Sequence, residues 1–437
     1  MNRGIRVVLD GDQVQGLRLS TILNNTRVRN FLDCQSTTNT SGAIGCEGSS
    51  GSVFQTTGGS FKQVYNSKDW NVSTIDPRPS DGTTVLQGYV GANFTDGPAA
   101  IADFPLEVWG NHDALNKSAL AIGPKSSVLE RLVSGGLAPS GAFGIDYGSR
   151  SQAHPRDGQL VVGGHNAARH GGDASTSHFQ MWSASAPINC PLQVLLADVV
   201  LSNAAGNHSL FGDPDSKVTA CIDTIQNAFA FTPAMFAKWQ GLTNWVASPG
   251  DGGPDFTQQT YPLDREPLMG TLTIRLANGY TSVIPHYELV TNERGSDSQG
   301  KYAVVNASRA MAAVQAGDSD LGRDTPVLGG VFLSQNYLRV DYANNSFSLS
   351  PRVASPPDDD IVTTCTPDNT GGAGADSGGD GGGQSSSMLG LKIGLPVALG
   401  TVAIGVAAAL LFYRAWSNKN RTRQNSSEIV RRTTSRP

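Results

Sequence analysis

A run of 21 uncharged residues near the C-terminus, Ile393 to Tyr413, most constrains what this 437-residue chain can form. It is rich in Ala, Val, Leu, Ile and Gly, and its length matches the roughly 30 Å of hydrocarbon that a transmembrane helix crosses. Residues 366–388 before it are rich in Gly, Ser and Asp and too poor in apolar groups to fold. This segment, which is not expected to fold, and the basic segment that follows the apolar run favour a transmembrane helix at 389–413 over a buried globular helix.

The segment after this helix, 414–437, carries seven Lys and Arg residues, and positive charge marks the cytoplasmic side. The chain is therefore expected to be a single-pass type I membrane protein with residues 1–365 outside the cytosol. The expected location is the plasma membrane or another membrane of the secretory pathway. A GPI signal is the competing interpretation, but such signals end within the apolar stretch. Residues Met1 to Asp12 have only a short apolar patch where a signal peptide is expected. Either export uses the C-terminal helix alone or the chain starts late, and a truncated start is the preferred interpretation.

Sequons for N-linked glycosylation support this topology. Eight lie before the linker, and together they indicate a glycosylated outer surface although each alone is weak. The candidate acceptors are Asn24, Asn39, Asn71, Asn93, Asn116, Asn207, Asn306 and Asn344.

The balance of residue types predicts an all-β protein. Gly is abundant at 51 residues and charged residues make up 16%, which suits many short strands with Gly-rich turns. A net charge of −5 argues against nucleic acid as a partner. Strands are predicted at 160–164, 192–196, 272–276 and 347–349, and short helices at 126–133 and 232–239.

Two motifs about a hundred residues apart carry the clearest family resemblance. The first is Ala220-Cys221-Ile222-Asp223-Thr224-Ile225, and the second runs from Pro326 to Leu333 (PVLGGVFL) and continues through Tyr337 to Tyr342 (YLRVDY). Together they resemble the C-terminal lobe of a pepsin-like aspartic protease. Segments 120–148 and 157–164 are similar to the family's central segments, so the resemblance covers roughly residues 15–352.

The resemblance implies a bilobal all-β fold with a central cleft, the N-terminal lobe at 1–160 and the C-terminal lobe at 161–365. It also implies one catalytic Asp from each lobe. Two neighbouring carboxyls share one proton, so that one activates water and the other polarises the peptide carbonyl. Asp223 and Thr224 match the C-lobe motif, but Ile225 stands where the family has Gly.

The N-lobe carboxylate is missing from the expected place. Counting back from Cys34 puts that position at Ser20 or Leu19, with Thr21 after it, so Ser20 and Thr21 form a degenerate site. Asp10 and Asp12 lie about ten residues too early, and Asp33 is expected in a turn. Tyr65 and Tyr89 are the candidates for the tyrosine that overhangs the cleft in this family.

No other chemistry has a complete set of residues. His165, His170 and His178 cluster in sequence, but nothing completes a metal site, and a Gly-rich surface loop is the preferred interpretation. No nucleophile elbow or phosphate-binding loop is found, so neither a cofactor nor a metal is expected. Cys34 and Cys46, twelve residues apart, suit a local disulfide. The pairing of Cys190, Cys221 and Cys365 stays open.

Three functions remain. The preferred hypothesis is an inactive, membrane-anchored aspartic-protease-like ectodomain that binds a peptide or protein in its cleft. The first alternative is an active or weakly active aspartic endopeptidase at the cell surface. The second alternative is a glycosylated structural or sensor protein of the cell periphery.

Overall fold

The computed structural model of the chain divides into two compact units, Met1–Pro396 and Val397–Pro437. It describes residues 4–35, 46–47, 50–57, 59–66, 68–70, 72, 76, 84–94, 100–110, 118–149, 151, 154–182, 190–213, 215–245, 260–262, 269–296, 302–317, 324–354, 358–365 and 391–395. All of these belong to the first unit.

The described residues are mostly strands joined by short helices. The strands are β1 (Ile5–Leu9), β2 (Gln13–Ser20), β3 (Arg27–Arg29), β4 (Lys62–Val64), β5 (Thr84–Phe94), β6 (Ala100–Gly110), β7 (Ala119–Ala121), β8 (Phe143–Asp146), β9 (Gly158–Val162), β10 (Gly164–Asn166), β11 (Ser177–Gln180), β12 (Gln193–Asn203), β13 (Gly206–Ser209), β14 (Val218–Ile222), β15 (Phe229–Phe231), β16 (Thr260–Pro262), β17 (Thr271–Leu276), β18 (Thr281–Ile284), β19 (Val290–Ser296), β20 (Tyr302–Ala312), β21 (Val314–Ala316), β22 (Val327–Leu328), β23 (Asn336–Asp341), β24 (Ser346–Pro351), β25 (Ile361–Thr363) and β26 (Leu391–Leu395). The α-helices are α1 (Phe31–Gln35), α2 (Ser127–Ser134), α3 (Pro233–Thr243), α4 (His286–Leu289) and α5 (Gly330–Leu333), and 3-10 turns lie at Ala167–Arg169 and Asp173–Ser175.

Both sequence-predicted helices form where their capping residues require. The Ser126 side chain accepts a hydrogen bond from the Leu129 N–H at the start of α2, and Thr232 does the same for Met235 at the start of α3. Such caps satisfy N–H groups that the first helical turn leaves without partners. Pro233 follows Thr232 at a position where its missing N–H costs nothing. The four predicted strands are also confirmed, as parts of β9, β12, β17 and β24.

Each half of the chain builds one lobe around the same strand arrangement. In the first lobe β2 pairs in parallel with β7, β7 pairs antiparallel with β3, and β3 pairs in parallel with β6. In the second lobe β14, β22, β15 and β21 repeat these three pairings in the same order. The lobes therefore place two equivalent turns at equivalent points, directly after β2 and directly after β14.

A third sheet joins the lobes, with strand order β11-β24-β23-β8-β9-β26. Its strands come from both halves of the chain, and residues such as Phe143, Ile145, Leu338 and Leu349 are fully buried in it. Burial of these apolar side chains stabilises the sheet at about 25 cal/mol per Å² of apolar surface. The bilobal β architecture expected from the sequence is thus observed.

The predicted transmembrane segment lies almost entirely outside the described residues. Its described part, Leu391–Leu395, forms β26 and pairs antiparallel with β9, with Leu391 opposite Val162. Within the described ranges, no helix is long and apolar enough to cross a membrane. The linker at 366–388 and the tail at 414–437 also lie outside these ranges, so the membrane topology stays a prediction.

Candidate functional site

The two equivalent turns meet at the junction of the lobes through their threonines. The Thr21 N–H donates to Thr224 Oγ1 at 3.1 Å, and Thr21 Oγ1 donates to the carbonyl oxygen of Ile222 at 3.5 Å. Both threonines are fully buried. Because Thr21 pairs with Thr224, the residues before them correspond as well, and Ser20 occupies in the first lobe the position of Asp223 in the second.

Ser20 and Asp223 make the same local contact. The Asp223 Oδ1 accepts from the Ile225 N–H at 3.0 Å, and Ser20 Oγ accepts from the Ile22 N–H at 3.4 Å and from the Leu23 N–H at 3.1 Å. A hydroxyl oxygen thus supports the first turn in the way that a carboxylate oxygen supports the second. Asp223 is the only carboxylate in the two turn sequences, 20–25 and 223–227.

An isoleucine stands two residues after each of these positions. Ile22 and Ile225 are both partly exposed, and neither belongs to the buried hydrophobic cluster. Sequence reasoning identified Ile225 but missed Ile22. The dipeptide Thr-Ile occurs in both turns, as Thr21-Ile22 and Thr224-Ile225, and this repeat could have revealed it. Each of the two turns therefore carries a partly exposed aliphatic side chain next to its threonine.

Two tyrosines brace the turns from the opposite halves of the chain. Tyr147, after β8, donates to the Thr224 carbonyl oxygen at 2.9 Å. Tyr342, after β23, donates to the Ile122 carbonyl oxygen at 2.8 Å and lies 3.3 Å from that of Thr21. Burial raises the pKa of Tyr342 above its usual range, so its hydroxyl remains a donor. Each lobe's turn is therefore held by a side chain from the other half.

Asp76, which lies between β4 and β5 in the chain, is hydrogen-bonded to the first turn. Asp76 is buried, and its carboxylate accepts from the Asn25 N–H at 2.8 Å, the Asn24 N–H at 2.9 Å and Asn24 Nδ2 at 2.9 Å. Sequence reasoning did not single out Asp76, since its partners lie some fifty residues away along the chain. Both of its oxygens accept hydrogen bonds from the turn, and this contact forms the Asp76 clasp.

The other candidate residues are placed apart from this junction. Asp10 lies in the β1–β2 turn, and its Oδ1 accepts from the Ser60 N–H at 2.6 Å. Asp33 lies in α1 rather than in the expected turn, with its Oδ2 3.8 Å from Arg29 Nε. Asp12 is in the same β1–β2 turn. Tyr89 is in β5 with its ring 5.4 Å from that of Trp70, and Tyr65, directly after β4, is 88% exposed.

The cysteines form two disulfides. Cys34 pairs with Cys46, as predicted, and Cys190 pairs with Cys221 two residues before Asp223. Cys365 is free and exposed. The second disulfide ties the strand that delivers Asp223 to the start of β12.

The sequons differ widely in their surroundings. Asn24 uses its side-chain oxygen to accept from the Lys125 N–H and its Nδ2 to donate to Asp76, and Thr26 of the same sequon is fully buried. Asn93, Asn207 and Asn344 are exposed. Asn306 lies in β20, and nothing is described of its side chain. The positions of Asn39, Asn71 and Asn116 lie outside the described residues.

Two of the three clustered histidines lie together beside the third sheet, which joins the lobes. The rings of His165 and His170 are 5.4 Å apart, and His165 Nε2 is 3.3 Å from Arg339 Nη1. His178 is in β11. Among the described residues, no three His, Cys, Asp or Glu side chains form a group that could hold a metal ion.

This cluster predicts a loss of stability in acid. Burial, and then the Arg339 charge, lowers the pKa of His165 to about 4, outweighing the opposite effect of Asp173 and Asp360. Burial and Arg339 also lower the pKa of His170, against an opposing effect of Asp173. The unfolded chain binds more protons than the folded protein between pH 6.5 and about 4. The free energy of unfolding therefore decreases as the pH is lowered through that window, by roughly 1–2 kcal/mol after allowance for solvent screening.

The measurement is the free energy of unfolding from denaturant titrations across that window, for the wild type and for His165→Gln. Glutamine can still accept from Arg339 but does not titrate, so the pH dependence should flatten. His208→Gln, in the β12–β13 hairpin, is the control and should leave it unchanged. If the free energy of unfolding of His165→Gln depended on pH as strongly as that of the wild type, His165 would not be the source of the acid sensitivity.

No family model and no curated protein matches this chain. Its fold is similar to the crystal structure of an aspartic proteinase from Irpex lacteus, with a TM-score of 0.51 and 14% sequence identity. The match covers 79% of this chain and 93% of that chain. The chain therefore has a pepsin-like fold, in agreement with the resemblance of its motifs, and identity this low shows the fold alone.

Proposed function

We propose that residues 1–365 form a catalytically inactive, aspartic-protease-like ectodomain that binds an extended peptide segment between its lobes, held at the membrane by the apolar segment that follows β26 and ends at 413. The observation that carries the proposal is the equivalence of Ser20 and Asp223, which leaves one carboxylate where the acid–base reaction needs two. One carboxyl cannot both activate water and polarise the peptide carbonyl.

The junction nevertheless keeps the features that suit binding. The threonine cross-bonds, the two tyrosine braces and the Asp76 clasp hold both turns in place. Ile22 and Ile225 add partly exposed apolar surface at the same point. A rigid junction with accessible aliphatic groups favours a ligand that presents an apolar side chain there.

The test is recovery of peptides from a random library by the immobilised protein between about pH 3 and 7, the range in which a carboxyl pair would work. Peptides should be recovered intact and enriched in apolar residues. Ile225→Asp should abolish the enrichment, because it places a charge on the proposed contact surface. Val283→Asp, on a residue that is 54% exposed in β18, is the matched control and should bind like the wild type.

Two results would contradict the proposal. Cleaved peptides would indicate a working carboxyl pair, and thus the endopeptidase alternative. A folded protein that enriches no peptide would remove the binding role and favour the structural or sensor alternative.

A further inference from the structure

A cavity of about 480 Å³ is lined by α2, the β23–β24 turn and the residues after β25, and none of its lining residues belongs to the two turns that hold Ser20 and Asp223. Its walls are largely apolar, with charged groups among them, and its size falls within the roughly 300–1,000 Å³ range of small-ligand sites. The lining residues used below are Leu129, Val133, Tyr342, Asn344 and Cys365.

One of these residues is also a sequon acceptor. In the sequon Asn344-Asn345-Ser346, the two asparagines lie in the β23–β24 turn and Ser346 begins β24. The Asn345 N–H donates to the Tyr342 carbonyl oxygen at 3.2 Å. The Asn344 side chain is exposed, and its Nδ2 donates to Asp341 Oδ2 at 2.7 Å. An N-linked asparagine keeps one N–H, so this hydrogen bond can persist and fix the direction in which a sugar leaves the turn.

We propose that Asn344 carries an N-linked glycan whose first sugar lies in this cavity. A lipid-diphosphate-linked oligosaccharide would be the donor: the Asn344 amide nitrogen bonds to the sugar C1, the bond from C1 to the diphosphate oxygen breaks, and the amide proton is transferred to the diphosphate. The apolar face of the sugar then packs against Tyr342, Leu129 and Val133, while its hydroxyls face the rim.

The contrast with two of the other described sequons supports this choice. The Asn24 amide is engaged on both its oxygen and its nitrogen, so it is built into the turn. Asn207 is exposed in a two-strand hairpin and does not line the cavity. Asn344 combines an exposed amide with an apolar cavity beside it and with an aromatic residue two positions earlier in the chain.

The experiment compares the full-length chain with Ser346→Ala and Ser346→Thr after expression in a eukaryotic secretory host. Alanine removes the sequon while leaving Asn344 and its bond to Asp341 in place, and threonine keeps the sequon. All samples are trimmed with an endoglycosidase that leaves one sugar. We expect the melting temperature of Ser346→Ala to fall by about 2–4 °C, and that of Ser346→Thr to stay at the wild-type value.

A second readout separates occupation of the cavity from a general change in stability. Cys365 lines the same cavity, so the sugar should shield its thiol. Alkylation of Cys365 should be at least about threefold faster in Ser346→Ala than in the other two proteins. Asn207→Gln serves as the control and should change neither the melting temperature nor the alkylation rate.

The inference rests on the proposed exposure of residues 1–365 to the secretory pathway, and the outcomes separate the two. Sugar on Asn207 but none on Asn344 overturns this inference and leaves the topology intact. Sugar on Asn344 without either effect overturns the docking in the cavity. Absence of sugar from every sequon overturns the topology and this inference with it.

Discussion

Replacing Asp146 with Asn should lower the free energy of unfolding by about 3 kcal/mol, because it removes one partner of a buried ion cluster. Asp146 is 1% exposed at the end of β8. Its carboxylate lies 3.2 Å from Arg156 Nη2 and 3.0 Å from Arg169 Nη1. Arg352 is also near, and its pKa is lowered by burial and by Arg156. Without the Asp146 charge these guanidinium groups repel one another in partly buried surroundings.

The matched control is Asp103→Asn, which neutralises an exposed carboxylate. Asp103 lies 3.0 Å from Lys62 Nζ, with both side chains more than half exposed. Such surface pairs contribute about 0–1 kcal/mol. Denaturant unfolding of both variants gives the comparison, and equal losses would show that the Asp146 cluster is no more important than a surface pair.

The second large effect is a gain of activity. On the proposed function the wild type cleaves no peptide, and the triple change Ser20→Asp, Ile22→Gly and Ile225→Gly should make the protein cleave peptides in acid. It supplies the second carboxylate at the position equivalent to Asp223 and removes the branched side chains from both turns. Two facing carboxyls share one proton, so activity should be confined to acidic solution.

Two control variants test whether the second carboxylate is responsible for the activity. Ser20→Asn in the double-glycine background has the shape of the aspartate without its acid–base chemistry, and it should be inactive. Adding Asp223→Ala to the triple variant should abolish its activity. Cleavage that survives either change would come from a contaminant or from another site. A folded but inactive triple variant would show that the equivalence of Ser20 and Asp223 does not extend to the chemistry.

Much of the fold was predictable because its signals are local. The caps at Ser126 and Thr232 and the apolar strand segments depend on neighbouring residues, and the short disulfide loop from Cys34 to Cys46 depends on spacing. The Cys190–Cys221 disulfide depends instead on the pairing of β12 with β14, in which Gln193 lies opposite Cys221. That register is set by tertiary contacts, so spacing alone did not reveal it.

The site was predictable only in part, for the same reason. Asp223 and Thr224 stand in a motif, and counting from Cys34 left Ser20 or Leu19 open. The hydrogen bonds of Thr21 to the other turn decide between the two. Asp76 reaches the site from a segment distant in the chain, and no local pattern marks it. Tyr342 ends the motif Tyr337 to Tyr342, but that motif does not predict its contact with the first turn.

Hydrolysis of a broad peptide library by the wild-type protein, beside Asp223→Ala, tests the central claim most directly. The range from about pH 3 to 7 covers the conditions in which a carboxyl pair would act. The account predicts that neither protein cleaves any peptide, although unfolding measurements show both to be folded. Cleavage by the wild type that is lost in Asp223→Ala would mean that a second carboxylate serves Asp223, and would contradict the assignment of Ser20 to that position.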